Sequence, residues 1–382
     1  MKIETCYCRN QHCRLYGFSG EKARLRFDDW HKGAPRYRCL VCDQRVGARS
    51  GTAYAGIRTD ELTYRYAVIA LAEGLALRAT GRLFTLDKDT LCGWLPLLSV
   101  HCNAVMNYFF RNLHLNECQR DELWTFVYKK EAHLEPLEQL LSHYGDAWIW
   151  IAFSPVFKLV PAWHVGERTL PDARKLIFRL KSATDEHIPF FTSDELPHYA
   201  DALLEVYGEL KTPARRGARG RLPAPRKYPP PDLCYAVVVK QREGGRVVKV
   251  TTRIVYGTTE QIQQALRDSP VSTTINTYGV ERNNLTVRQH SRRLTRKVNA
   301  FSKDRAYLEH QLTLAFAYYH FVIPHQGLRR RLPQPLPTKG PHATYKKWAA
   351  VTPAMAAGLT DHVWTMDELL SFRVPPKRLW HS

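Results

Sequence analysis

Leu123-Trp-Thr-Phe-Val-Tyr128, Ala147-Trp-Ile-Trp-Ile-Ala152 and Lys158-Leu-Val-Pro-Ala-Trp-His-Val165 decide the fold. Each is a run of aromatic and β-branched residues, side chains that suit a pleated, half-buried surface, so three consecutive strands are predicted. Beyond them the pattern predicts a helix over about 171–180, a buried strand near Ile188–Thr192 and a helix over about 196–207, a mixed α/β unit. The rhythm then breaks. Lys211 to Pro231 holds six prolines, seven basic residues and no acid, and the hairpin after it turns at Gly244-Gly245. Roughly 209–270 is therefore expected as an insertion. From Val280 the chain reads as helical to about Val322, then Pro-rich with one more helix near Met366–Phe372.

Upstream of the strands the pattern is helical. Asp60 is a plausible N-cap for a helix running to Glu73, Gly74 ends it, and Arg78–Phe84 forms a short second helix. Asp87 caps a third, whose Leu91, Leu95 and Leu98 recur at i, i+4 and i+7 and pack one face on the other two. This succession resembles a helix-turn-helix, in which the third helix enters the major groove of DNA. Arg78, Arg82, Lys88 and Thr90 are the expected DNA contacts.

The first 54 residues have few apolar runs and cannot bury much of a core unaided. They hold five of the nine cysteines, an odd total that argues against a disulfide framework. Cys8-x4-Cys13 and Cys39-x2-Cys42 suit a tetrahedral zinc ribbon, because thiolates at those spacings converge on one ion without strain. Cys6 competes for one of the four places.

The chain has 382 residues, 44% of them hydrophobic, enough for two or three domains. Fifty-six Lys and Arg against 36 Asp and Glu give a formal charge of +20 and favour a polyanionic partner, with nucleic acid the default. Neither an apolar signal segment nor a membrane-length helix is evident, so a cytoplasmic, nucleoid-associated protein is expected.

Cleavage and joining of phosphodiesters use a pair of divalent ions, and hard ions such as Mg²⁺ take oxygen ligands. Asp121 opens the first predicted strand, Asp194 follows the buried strand, and Glu281 begins a basic helix. At 100° per residue, Arg288, Arg292 and Arg296 would share a face with Glu281, within about 80° of one another, with Val287, Leu294, Val298 and Phe301 opposite. Glu122, Asp185 and Glu195 are local competitors. The Lys211–Pro231 loop and the Arg288, Arg292, Arg296 stripe are expected to meet phosphates rather than bases.

Val280-Glu-Arg-Asn-Asn-Leu-Thr-Val-Arg-Gln289, continuing through Arg292 to Lys303, resembles the block carrying the catalytic Glu in transposases of the insertion sequence 1 family. Asp121-Glu-Leu-Trp-Thr-Phe-Val-Tyr-Lys-Lys130 and Phe191-Thr-Ser-Asp194 resemble the blocks carrying its two Asp residues, and Cys8-x4-Cys13 with Cys39-x2-Cys42 is similar to its zinc ribbon. Tyr318–His325, where His325 lies, and Thr352–Trp364 are also similar to segments of such transposases. The resemblance implies a ribonuclease H-like core in which Asp121, Asp194 and Glu281 hold Mg²⁺ or Mn²⁺, and a zinc site of Cys8, Cys13, Cys39 and Cys42.

The expectation is thus a multidomain α+β chain: zinc ribbon (1–55), helix-turn-helix (56–115), an α/β ribonuclease H-like catalytic domain (116–325) with a β-hairpin insertion, and a C-terminal tail (326–382). It would bind terminal inverted repeats, cleave the ends and transfer the 3′-OH to target DNA, as a homodimer or higher oligomer. The rival expectations are an inactive DNA-binding repressor and a nuclease of the same fold.

Overall fold

The computed structural model describes residues 5–31, 33–141, 144–213, 223–338 and 344–376. The chain divides into two compact units, Met1–Phe109 with Trp364–Ser382, and Phe110–Val363.

In the first unit, β1 (Leu25–His31), β2 (Ala34–Cys39) and β3 (Arg45–Gly47) form an antiparallel sheet in that order. The register sets Asp29 opposite Arg36, which binds its carboxylate, while Arg38 and Arg45 reach Asp28 at 3.0 and 2.8 Å. Such partly exposed pairs specify register more than they stabilise. Helices α1 (Glu61–Ala72), α2 (Leu77–Phe84) and α3 (Lys88–Phe109) follow. The Asp60 carboxylate caps α1 by accepting from the Thr63 N–H at 2.9 Å, and Gly74 ends it with φ at +86°. The turn from α2 to α3 is close: a Cβ on Gly81 would stand 2.6 Å from the Leu86 carbonyl oxygen. Leu91, Leu95, Leu98, Cys102 and Val105 form the buried stripe of α3, and Tyr64 packs edge-on between Tyr54 and Trp94. The end of the expected tail completes this core. A Thr365–Glu368 capping box opens the helix Met366–Ser371, which buries Met366, Leu369 and Leu370, and the Tyr54 hydroxyl donates to Asp367 at 2.6 Å.

In the second unit the three predicted strands match, to within one residue at Tyr128 and Lys158, parts of β4 (Glu117–Val127), β5 (Gly145–Ser154) and β6 (Leu159–Gly166), with α4 (Pro136–Leu141) between the first two. Then come α5 (Leu170–Ala183), β7 (Phe190–Asp194), α6 (His198–Tyr207), the small pair β8 (Glu209–Lys211) and β9 (Arg226–Tyr228), β10 (Tyr235–Glu243), β11 (Arg246–Tyr256), α7 (Thr259–Asp268), α8 (Tyr278–His290) and α9 (Arg305–Phe321). The main sheet is mixed and six-stranded, in the order β11-β10-β7-β4-β5-β6, with β4, β7 and β10 parallel. It is compatible with the ribonuclease H-like expectation.

Three expectations need correction. The segment 209–270 is more than an insertion, because Tyr235–Val238 of β10 pairs with Phe191–Asp194 and is buried within the sheet. Only the outer part of the β10–β11 hairpin runs beyond it. Asp121 does not open its strand; β4 begins four residues earlier, at Glu117, and Glu117–Arg120 pair with β7. The helix expected from Val280 to Val322 is broken: α8 stops at His290 and α9 starts at Arg305. No Gly or Pro causes the break. The intervening chain folds against the end of β4, where Tyr128 N–H donates to the Ser302 carbonyl at 2.7 Å and Phe301 meets Phe126. Asp304 then caps α9 through the Ala306 and Tyr307 N–H groups. Tertiary pairing outweighs the local helical period here. Of the expected basic loop, residues 214–222 lie outside the described residues.

Candidate functional site

Strand register builds the acidic site. The last parallel pairs between β4 and β7 are Gln119 with Thr192 and Arg120 with Ser193, so the next residues on the two strands are Asp121 and Asp194. They stand side by side for the reason that any two residues following a parallel pair do. Alternation along β4 sends Arg120 toward Tyr199 of α6, whereas Asp121 accepts from the Asn284 amide of α8 at 2.7 Å. Carboxylate oxygens of Asp121, Glu122 and Asp194 all lie within 4.8 Å of one another, a group able to hold a metal ion.

Burial pushes the Asp121 carboxyl up to about 7, helped by the neighbouring Asp194 and Glu281 carboxylates. Glu122 rises to about 7 as well, through burial and then Asp194; its partner is Arg168 at 3.3 Å. Closely set acids that resist ionisation are the arrangement a divalent cation relieves.

Glu281, in the first turn of α8, shares with Asp121 and Asp194 a cavity of about 600 Å³ edged by Arg168, Lys240 and Arg242. It lies outside the tight acidic trio, since its Oε1 accepts from Lys240 Nζ at 2.5 Å and from the Thr277 hydroxyl at 2.7 Å. Burial raises the Glu281 carboxyl, but these two donors and the Lys240 charge outweigh it, leaving the group below its ordinary value. The other competing acids point elsewhere: Asp185 to His114 at 2.8 Å and Glu195 to Arg253 at 3.0 Å.

Only one of the three stripe arginines is on α8. Arg288 is half-buried and donates to the Leu294 carbonyl at 2.7 Å and the Trp124 carbonyl at 3.2 Å, a cross-brace between helix and sheet. Arg292 lies in the short 3₁₀ turn Arg292–Leu294 and Arg296 beyond it; both are exposed, and Arg296 borders the cavity that reaches Asp121 and Glu281. In the first unit Arg78 and Arg82 of α2, and Lys88 and Thr90 at the start of α3, are all exposed.

Sequence reasoning missed Asn284 and Lys240. Asn284 lies one turn from Glu281 on the same helix face, a legible signal. Lys240 had none, because it reaches the site only through the pairing of β10 with β7.

In the first unit, one sulfur from each of Cys8, Cys13, Cys39 and Cys42 lies within 4.8 Å of the others. The Cys8–Cys42 and Cys13–Cys39 separations are 3.5 and 3.8 Å. A tetrahedral zinc with Zn–S of about 2.3 Å has sulfurs about 3.8 Å apart, so the donor set fits that ion. Cys6 is elsewhere, packed with Tyr37 and Ala48. Burial drives the Cys8 thiol well up, whereas at Cys42 burial is outweighed by the Gln44 N–H and neighbouring groups, which bring it down to about 7.

No protein-family model and no curated protein matches the chain. Among solved structures, 38% of this chain is similar to a Mos1 transposase paired-end complex with left transposon end, at 12% identity and a TM-score of 0.17. The chain spans 56% of that one. So low a TM-score does not define a shared fold. Among the described residues, no helix is long and apolar enough to cross a membrane.

Proposed function

We propose that the chain is a DNA transposase of the insertion sequence 1 type, in which Asp121, Asp194 and Glu281 hold Mg²⁺ or Mn²⁺. The observation that carries this reading is the register that sets Asp121 beside Asp194, with Glu281 on the same cavity and cationic side chains at its rim. An all-oxygen donor set of half-buried acids fits a hard cation. Ions bound there would activate an attacking oxygen and stabilise a leaving oxygen. The protein's own part is to position: Asn284 orients Asp121, Thr277 orients Glu281, and Lys240, Arg168 and Arg242 supply charge for phosphates. The four-cysteine cluster is read as a zinc ribbon and α1–α3 as a helix-turn-helix for the terminal inverted repeats. Synapsis of two ends calls for a homodimer at least, in a cytoplasmic, nucleoid-associated setting.

The test is cleavage and joining. With Mg²⁺ or Mn²⁺ the protein should cut DNA carrying the repeats that flank its gene, and insert a pre-cut end bearing a 3′-OH into a plasmid. Asp121→Ala, Asp194→Ala and Glu281→Ala should each abolish both steps while repeat binding survives. Cutting without joining would make it a nuclease, and repeat binding by a wild type that neither cuts nor joins would make it a repressor. A second reading concerns the third ligand, since Glu122 lies inside the tight acidic trio and Glu281 does not. Calorimetric Mn²⁺ binding lost in Glu122→Gln but kept in Glu281→Gln would favour Glu122.

A further inference from the structure

Glu281 is engaged by a lysine that comes from another part of the sheet. Val238 is the last residue of β10 paired with β7, opposite Asp194, and Lys240, two residues on, shares its face. Beyond Val238, β10 pairs with β11 alone among the described residues, so Lys240 stands at the base of a two-stranded arm that starts beside the acids. Its Nζ donates to Glu281 Oε1 at 2.5 Å, and the Thr277 hydroxyl donates to the same oxygen at 2.7 Å. A carboxylate oxygen accepts about two such bonds, so both places on Oε1 are taken.

The other acid beside Asp121 and Asp194 is clasped differently. Glu122 accepts from Arg168 at 3.3 Å, but that guanidinium also lies over the Trp148 ring, 4.9 Å from its centre, and the stacking keeps it in place. Lys240 carries a point charge on a flexible stem, and Glu281 is the acid it pairs with, both side chains part-exposed. An ammonium on a metal ligand stands in for the cation: it neutralises the acid and repels a divalent ion from the same oxygen. A phosphate entering the cavity edged by Arg168, Lys240 and Arg242 offers that ammonium another anion.

We propose that Lys240 is a positioning residue that exchanges partners, holding Glu281 outside the acidic trio in the DNA-free chain and passing to a DNA phosphate, which frees the carboxylate for the metal. DNA and metal then favour one another by the same factor, because each displaces the ammonium toward or from Glu281 in the same sense. The exchange rests on Glu281 being a metal ligand, as in the transposase reading, and adds to it a coupling between substrate and metal. Loss of any cation from this cavity weakens DNA binding; loss of this one also tightens metal binding.

The experiment is Mn²⁺ calorimetry on the full, zinc-loaded chain at pH 8, without chelator, for wild type, Lys240→Met, Glu281→Gln and the double variant. Lys240→Met should bind Mn²⁺ several-fold tighter than wild type, the reverse of what losing a merely structural contact does. Lys240→Arg, which keeps the charge, should resemble wild type. In the Glu281→Gln background Lys240→Met should change little, because there is no carboxylate to release. A short duplex of arbitrary sequence should tighten Mn²⁺ binding about tenfold in wild type and clearly less in Lys240→Met. Equal or weaker Mn²⁺ binding by Lys240→Met would overturn the proposal. So would an equal gain in the Glu281→Gln background, the mark of simple removal of a positive charge. Mn²⁺ binding that needs Asp121 yet ignores Lys240 overturns the exchange and leaves the transposase reading standing, whereas binding that Asp121→Asn leaves intact overturns both.

Discussion

Replacing Asp121 with Asn isolates the electrostatic tension of the acidic site. Burial and its acidic neighbours hold the Asp121 proton to about pH 7, against the 3.8 of an ordinary aspartate. The stability this raised value contributes is fully present below the unfolded value and is lost as pH rises through about 7. That rise corresponds to about 4 kcal/mol at most, and water entry and local relaxation bring the expected effect to about 1–3 kcal/mol. Asn keeps the shape and removes the charge: its amide oxygen can still accept from the Glu122 N–H, and its nitrogen can donate to the Asn284 amide oxygen once that amide turns over. Without added Mg²⁺ or Mn²⁺, and with no chelator that would strip zinc from the cysteines, Asp121→Asn should therefore be more stable than wild type at pH 8 by about 1–3 kcal/mol, with the gain vanishing near pH 4. For a unit of this size each kcal/mol moves the melting temperature by about 2–4 °C. Urea and thermal unfolding across pH 4–8 measure it. Adding Mg²⁺ at ten times its Kd should restore about 1.4 kcal/mol to wild type and little to the variant. A gain independent of pH, or a loss that grows toward pH 8, would refute the argument.

Other consequences follow from single contacts. Cys39→Ser with Cys42→Ser should remove zinc measured by atomic absorption, whereas Cys6→Ser should retain it, because Cys6 packs apart from the four-sulfur cluster. Arg288→Met should cost about 1–3 kcal/mol in urea unfolding, since it strips donors from the Leu294 and Trp124 carbonyls. Arg292→Gln and Arg296→Gln should stay within about 0.5 kcal/mol of wild type and instead lower the salt dependence of DNA binding by about one unit each. If Arg288→Met changed binding alone, its role as a brace would be wrong. Gly81→Ala should lower the melting temperature of the first unit, by about 1–3 kcal/mol in stability, because the new methyl meets the Leu86 carbonyl oxygen; an unchanged melting curve would show that the turn gives way.

Local information carried much of the architecture. The aromatic and β-branched runs placed β4, β5 and β6, Asp60 and Gly74 bounded α1, and the Leu91, Leu95, Leu98 stripe gave α3 its buried face. These signals act within a few residues, through side-chain shape, caps and periodicity. Paired cysteine spacings similarly led to the four sulfurs that converge. What failed depended on distant partners. Nothing near Ser291 interrupts a helix; the chain leaves it because Ser302 pairs with the end of β4. Tyr235–Val238 looked like part of an inserted hairpin until β7 supplied its neighbour, and with that pairing came Lys240 beside Glu281. The sequence by itself determined most of the strands and helices and the cysteines that could hold a metal ion. Only the tertiary structure decided that Asp121 stands beside Asp194, that Glu122 joins them, and that Lys240 reaches Glu281, because strand register is settled by packing between segments far apart in the chain.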